Sequence, residues 1–293
     1  MSTTLIQPQH DPRKIADMLF VRANSFWLLA LACKSVSVLL GALLVLLFPN
    51  AKFSYLPITV VYILGEIFSW RSDNFKSAAQ TILRKLDFRD SFGWEISGEE
   101  MSDIIMSLPS KIRKSIPQLS PDNYFASSAD PGPTRALENL QESAWWSKQL
   151  ASRMGDICLG ITIGLVALSL IVMAGSVYAI QNTDTLSSIV RITTSLLMLI
   201  FSLGIWRLII GYYTFKGKAE GSEQHTKSLF NSGCDHFDAV KAWHDYQVAR
   251  ASAPLIPSWL WRRMRDDLNK TWEIYRKRNP SQCIDAGTMK IDG

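Results

Sequence analysis

The sequence lacks the short motifs by which common enzyme classes are recognised. It contains no GxSxG, no phosphate-binding P-loop, no HExxH and no glycine-rich dinucleotide turn. Its neighbouring carboxylates, such as Glu99 and Glu100, are typical of a helix start with a solvated face rather than of a catalytic pair. We therefore expect a protein that is not an enzyme, with no catalytic residues and no cofactor.

Cysteine is also scarce, and its spacing argues against two further classes. The four cysteines are scattered along the chain: Cys33, Cys158, Cys234 and Cys283. Such a pattern is typical of reduced thiols that face a cytosol, and it argues against a disulfide framework or a zinc knuckle. His236, Asp238 and His244 lie near Cys234, but their spacing matches no strong zinc pattern, so we predict no metal site.

A strong excess of positive charge is absent as well. The 293 residues include 31 Lys and Arg against 26 Asp and Glu, a formal net charge of +5. A net positive charge of this size is too small to indicate a DNA or RNA partner. The charges are instead segregated along the chain, because they lie between long blocks of apolar residues.

Four apolar blocks predict an all-α membrane protein with four transmembrane helices in two hairpins. The first pair covers Ser25–Phe48 and Tyr55–Trp70, and the second covers Ile157–Ile180 and Ile189–Phe215. At 1.5 Å per residue, three of these blocks exceed the roughly 30 Å of a hydrocarbon core, and Tyr55–Trp70 is near the lower limit. The lipid bilayer is therefore the first predicted partner.

The remaining segments predict a helical cytosolic domain formed by the central insert and the C-terminal tail. We divide the chain into an N-terminal segment (1–24), a first hairpin (25–70), an insert (71–154), a second hairpin (155–215), C-terminal helices (216–278) and a disordered tail (279–293). Ser97 and Glu100 form a capping-box pattern that predicts a helix start. Nothing interrupts the helical pattern between Thr134 and the third span, which favours one continuous helix.

The N-terminal segment contains an apolar stripe formed by Ile15, Met18 and Leu19. The stripe favours either a membrane-surface helix or a frayed lead into the first span.

Positive residues close to the spans predict the orientation. Arg22, Arg71, Arg153 and Lys216 flank the polar segments, whereas the two short connections between spans contain only one lysine, Lys52. Cytoplasmic loops are enriched in Lys and Arg, so both termini and the insert are expected in the cytoplasm of a multi-pass protein.

Lys34, Glu66 and Arg207 are charged residues inside predicted spans, and Arg191 lies just inside the start of the fourth span. Charges in lipid are costly and usually face protein or water, so Lys34, Glu66 and Arg207 are candidates for the polar lining or the gate of a pore. Lys34 and Glu66 lie close enough in depth to predict an ion pair within the first hairpin. The alternative is that Lys34 and Arg207 extend to the lipid headgroups.

Gly160 and Gly164 form a GxxxG pair in the third span. Small residues at this spacing allow two helices to approach closely. The pair predicts helix packing, either between subunits of a homo-oligomer or within one subunit.

An aromatic and basic group follows Pro257 and comprises Trp259, Trp261, Arg262, Arg263 and Arg265. Arginine contacts phosphate in a bidentate geometry and tryptophan stacks on bases, which favours a nucleotide ligand. The same composition is typical of a helix at a membrane surface.

Three stretches carry a resemblance to a known family: Ala78–Ser97, Asn139–Met154 and Val248–Asn269. With the two-hairpin layout, they resemble the SMODS-associating four-transmembrane family of pore-forming effectors, which occur in bacterial anti-phage operons beside nucleotide-second-messenger synthases. The resemblance implies a bacterial inner-membrane effector that opens or disrupts the membrane when infection is signalled, through a cyclic nucleotide. It implies no catalytic residues.

Two other functional classes remain open from the residues alone. A membrane-bound enzyme acting on a lipid or a nucleotide would use polar groups such as Glu66 and His244 at the membrane surface. A passive scaffold would recruit a partner through residues 71–154.

Overall fold

The computed structural model describes residues 11–47, 55–108, 113, 125–179, 190, 193–194, 204–233 and 235–278. Within these ranges the elements are α-helices and there are no strands, as predicted for the fold class. The helices are α1 (Pro12–Leu47), α2 (Tyr55–Phe92), α3 (Gly98–Ser107), α4 (Pro133–Ala179), α5 (Ile205–Ser232), α6 (His236–Ser252) and α7 (Ser258–Arg278). The predicted tail, 279–293, lies outside the described residues.

The chain forms two compact units. The first unit comprises Met1–Val21, Phe75–Ala151 and Thr214–Gly293, and the second comprises Arg22–Asn74 and Ser152–Tyr213. The predicted second span is part of a longer helix, α2, which continues as far as Phe92. The helix α4 runs without interruption through 47 residues, as its uninterrupted helical pattern predicted.

The first unit has a core built mainly by α4, α5 and α6. Trp243 of α6 is fully buried, and its indole Nε1 donates to the carbonyl of Ala136 in α4 at 2.7 Å. Tyr246, one turn further along α6, is also buried, and its hydroxyl donates to the carbonyl of Ser143 at 2.9 Å. Because both polar tips find acceptors on α4, these large rings can be buried without an unsatisfied donor.

A second core in the first unit joins the start of α1 to α2. Ile15 and Leu19 are fully buried and pack with Ile82 and Leu86. The apolar stripe of the N-terminal segment therefore faces protein, and both the membrane-surface interpretation and the frayed lead are wrong for these residues. Its periodicity identified an amphipathic helix correctly but could not identify what covers the apolar face.

Helix boundaries follow local chemistry. Ser97 is the N-cap of α3, and its hydroxyl accepts from the backbone N–H of Glu100 at 3.1 Å, as the capping-box pattern predicted. Asp235 caps α6 in the same way by accepting from the backbone N–H of Phe237 at 2.9 Å. Pro254 and Pro257 lie in the connection that separates α6 from α7.

In the second unit, α1 and α2 pack as an antiparallel hairpin. The hydroxyl of Ser72 donates to the carbonyl of Ala23 at 2.8 Å, and a Cβ placed on Gly65 would lie 3.3 Å from Cβ of Cys33. Later residues of α2 therefore contact earlier residues of α1, which shows that the two helices run antiparallel. The absence of a side chain at Gly65 permits this close approach.

The helices α4 and α5 also meet in the second unit. A Cβ on Gly155 would lie 3.3 Å from the ring of Tyr213, whose hydroxyl donates to the Asp156 carboxylate at 2.7 Å. The predicted fourth span lies largely outside the described residues. It is not one uninterrupted helix, because Gly204 has a φ of +65° and α5 begins only at Ile205. Glycine tolerates this left-handed conformation, and its carbonyl accepts from Leu208 at 3.1 Å.

Two helices in the described part of the chain are long and apolar enough to cross a membrane, over Pro12–Gly41 and Pro133–Gly175. In each helix only 17% of the most apolar window is buried. A helix in the core of a soluble protein would be mostly buried, whereas exposed apolar surface of this kind is typical of contact with a membrane or with another protein. Most of the large exposed apolar side chains belong to the second unit.

Candidate functional site

The candidate site is an ion pair inside the first hairpin. Lys34 Nζ of α1 lies 3.0 Å from Glu66 Oε1 of α2, so the predicted pairing is present. The Lys34 side chain is 14% exposed and the Glu66 side chain is 50% exposed. The Lys34 side chain is therefore largely covered, whereas the Glu66 carboxylate reaches the surface of the hairpin.

Neighbouring residues determine this geometry. Gly65 precedes Glu66, and a Cβ at that position would lie 3.0 Å from Cγ of Lys34. The missing side chain thus leaves room for the Lys34 stem to cross the interface. Tyr62, one turn before Glu66 on α2, lies close to the same carboxylate. Glu66 therefore has polar neighbours on both helices of the hairpin.

The surroundings of the pair are apolar. Val36 and Leu39 of α1 and Ile63 and Ile67 of α2 are large, exposed side chains within a few residues of the pair. In such surroundings a lone charge is expensive, and a hydrogen-bonded pair reduces that cost. The arrangement can hold two opposite charges within an otherwise apolar hairpin, and separation of the helices would expose both.

The other predicted intramembrane charge lies elsewhere. Arg207 is exposed near the start of α5 and forms no ion pair among the residues that the structure describes. It is not brought to Lys34 or Glu66 by any described contact. Its assignment to a pore lining stays a prediction.

The GxxxG pair does not pack within the described part of the chain. Gly160 and Gly164 are exposed, and a Cβ at either position would meet no atom within 4 Å. The buried face of this stretch is instead formed by Cys158, Thr162 and Ser169. Packing of the two glycines within the second unit therefore receives no support, and packing between subunits stays a prediction.

The aromatic and basic group lies on the first three turns of α7. Trp259 and Trp261 are 45% and 41% exposed, and the three arginines are exposed as well. The guanidinium of Arg265 lies over the ring of Trp261 at 5.1 Å from its centre. The opposite face of α7 is buried through Leu260, Leu268 and Trp272.

Sequence reasoning missed a buried charge cluster in the first unit, which we call the Glu223 cluster. Glu223 of α5 is 3% exposed and accepts from Lys148 of α4 at 2.6 Å and from the hydroxyl of Tyr275 of α7 at 2.8 Å. Lys227, one turn along α5, lies 3.0 Å from the other side of the carboxylate. The cluster thus joins three helices at one carboxylate.

Electrostatics favour the charged form of this carboxylate. Burial alone would raise the pKa of Glu223, but hydrogen bonds from Lys148, Tyr275 and Lys227 outweigh burial and lower the pKa below its ordinary value. Tyr275 responds in the opposite direction, because burial and its bond to Glu223 raise the pKa of its hydroxyl. The cluster therefore holds a carboxylate anion and a neutral phenol at neutral pH.

A second buried carboxylate, Asp87 of α2, joins α2 to α6. It is 2% exposed and accepts from Arg250 and from Gln247, each at 2.6 Å. Arg250 and Gln247 also bond to each other at 2.9 Å. Because Asp87 is separated from both partners by more than 150 residues, no local pattern could have indicated this contact.

Among the described residues, no group of three or more His, Cys, Asp or Glu side chains could hold a metal ion. His244 is exposed on α6, and Cys234 lies outside the described residues. No protein-family model matches the sequence, and no curated protein or solved structure is detectably similar to it. The resemblance to the four-transmembrane effector family therefore stays a prediction.

Proposed function

We propose that this chain is a multi-pass membrane effector that forms a pore in, or disrupts, a bacterial inner membrane when it is activated by a cytosolic signal. The signal proposed from the family resemblance is a cyclic nucleotide, and the active form proposed is a homo-oligomer. Four spans with both termini in the cytoplasm are part of this proposal. The observation that carries it is the Lys34–Glu66 ion pair within an apolar hairpin.

A paired charge in such a position fits a gate better than a passive anchor. A hydrophobic anchor has no need of two ionisable residues, and each would cost about 2.5–3.5 kcal/mol if it were placed unpaired at the centre of a span. The pair lies between two different helices, so its integrity depends on how these helices pack. A rearrangement of the hairpin would free both charges to line a water-filled path.

Two features are compatible with assembly and signalling. The exposed Gly160 and Gly164 leave a smooth strip on α4 that a helix of another subunit could approach closely. The helix α4 is continuous from Pro133 to Ala179, and so connects residues of the polar insert with residues of the predicted third span. A ligand-dependent shift of one end of a continuous helix displaces the other end as well.

The proposal is tested by leakage from liposomes that contain the purified full-length chain. Release of a self-quenched dye is measured without ligand and after addition of a set of cyclic dinucleotides. Lys34→Met and Glu66→Gln each leave one charge unpaired, so we expect each to raise leakage without ligand by at least tenfold. The exchanged pair, Lys34→Glu with Glu66→Lys, should return leakage toward that of the wild type.

A matched control uses an ion pair outside the apolar hairpin. Lys85 and Glu100 lie 3.0 Å apart in the first unit, and the exchange Lys85→Glu with Glu100→Lys alters the same number of charges. This control should leave leakage unchanged. Wild-type liposomes that stay sealed with every ligand, together with no effect of Lys34→Met or Glu66→Gln, would refute the proposal and favour a scaffold.

A further inference from the structure

We infer that the start of α7 binds the anionic headgroups of a lipid bilayer through Trp259, Trp261, Arg262, Arg263 and Arg265. This surface, which we call the α7 surface, has a role separate from pore formation. Lipid contact and leakage are measured independently, so the failure of one proposal does not decide the other.

The α7 surface is held in position by its own helix. Leu260 and Leu268 are buried in the first unit. In the sequence, Leu260 lies between the two tryptophans and Leu268 follows the three arginines. The tryptophans and arginines therefore project from an anchored helix and need no rearrangement to reach a ligand.

The charges of this surface suit an anionic partner. Arg262, Arg263 and Arg265 form no ion pair with a carboxylate among the described residues, although Asp266 and Asp267 follow directly in the sequence. Guanidinium groups bind phosphate oxygens in a bidentate manner, and tryptophan prefers the interfacial region of a bilayer. Arg265 stacks on Trp261, so one guanidinium group and one indole ring are presented side by side.

The shape of the surface favours a bilayer over a soluble nucleotide. Nucleotide sites are concave and cover most of the ligand, whereas these five side chains are spread over the exposed sides of the first turns of α7. A small cleft in the first unit is lined by residues that include Glu138, Trp272 and Arg276, and it contains none of the five. A bilayer is a broad partner without a cavity, and two helices of the described chain are long and apolar enough to cross one.

The test uses the full-length chain in nanodiscs of either phosphatidylcholine alone or phosphatidylcholine with phosphatidylglycerol. Both lipid mixtures contain a lipid with a quencher near its headgroup. The fluorescence of Trp259 and Trp261 is isolated by subtracting the emission of a Trp259→Phe/Trp261→Phe variant. We expect quenching of this difference signal in the anionic discs, with much less in the neutral discs or at 1 M salt.

The decisive variant removes the three positive charges, as Arg262→Gln/Arg263→Gln/Arg265→Gln. At about 1 kcal/mol per arginine near an anionic surface, its docking equilibrium should weaken by roughly 100-fold. The charge-matched control is Lys241→Gln/Lys270→Gln/Lys277→Gln, which removes three exposed lysines from α6 and α7. Circular dichroism confirms that each variant has kept its helical content.

Equal quenching in neutral and anionic discs would overturn the inference, and so would equal loss in the two triple variants. A third contrary result is a change in the difference signal when cyclic di-AMP is added to the detergent-solubilised chain without lipid. That result would assign the α7 surface to a nucleotide.

Discussion

The substitution Glu223→Gln tests the Glu223 cluster, because it removes the charge while keeping the size of the side chain. Lys148 contacts one oxygen of the carboxylate, and Tyr275 and Lys227 contact the other, so the amide, which keeps a single oxygen, cannot serve both sides. Lys227 is 43% exposed and can return to water, whereas Lys148 is 19% exposed and would keep a largely covered charge. Loss of a partner of a buried charge costs about 3 kcal/mol.

The assay is thermal unfolding of the purified chain in one detergent at one scan rate, with the apparent Tm compared between variants. At roughly 2–4 °C per kcal/mol, a loss of about 3 kcal/mol should lower Tm by about 8 °C. Because unfolding of such a chain is often irreversible, only differences measured at the same scan rate are interpreted. The control is Glu100→Gln, whose exposed pair with Lys85 contributes less than about 1 kcal/mol and should leave Tm nearly unchanged.

The effect of pH provides an independent check on the same cluster. The pKa of Glu223 is lowered in the folded chain, so its charge contributes stability above the ordinary glutamate pKa of about 4.3. That contribution is lost as the pH falls through the lowered folded-state pKa. The Tm difference between wild type and Glu223→Gln should therefore be full at pH 7 and should shrink below about pH 4. A Tm difference near zero at pH 7, or one that grows on acidification, would refute the reasoning.

Two glycine comparisons give further predictions. Gly155→Ala should destabilise the chain by about 1–2 kcal/mol, because its Cβ would crowd the Tyr213 ring, whereas Gly221→Ala in α5 should cause no loss; thermal unfolding distinguishes the two. Gly204→Ala should cost about 1–2 kcal/mol because φ is +65° there, whereas Gly217→Ala in the interior of α5 should stabilise by about 0.5–1 kcal/mol. A stabilised Gly204→Ala variant, or equal Tm values for Gly155→Ala and Gly221→Ala, would contradict the geometry.

Local sequence signals predicted the features that depend on neighbouring residues. The sequence predicted the helix start at Ser97 and the uninterrupted course of α4, because capping and helical periodicity act within a few residues. The Lys34–Glu66 pair was also predictable. Both residues are charges in apolar blocks of one hairpin, and their long side chains can bridge the difference in depth between them.

Contacts that depend on distant residues could not be predicted in this way. Glu223 is separated from Lys148 by 75 residues and from Tyr275 by 52, and each of the three resembles an ordinary surface residue of an amphipathic helix. The break at Gly204 was missed because one glycine in an apolar block is also common in transmembrane helices. For Ile15 and Leu19, the pattern indicated an apolar face but not its partner.

The ion pair of the first hairpin has a consequence for how the chain is made. Thirty-two residues separate Lys34 from Glu66, and at about 5–20 residues per second the lysine leaves the ribosome roughly 2–6 s before its partner. Under the proposed four-span topology, a first helix inserted alone would carry an uncompensated charge at a cost of about 3 kcal/mol during that interval. Delivery of both helices to the bilayer together would remove this cost. The proposed topology therefore predicts co-insertion of the hairpin, and a chain shortened before Glu66 should then be retained less efficiently in the membrane.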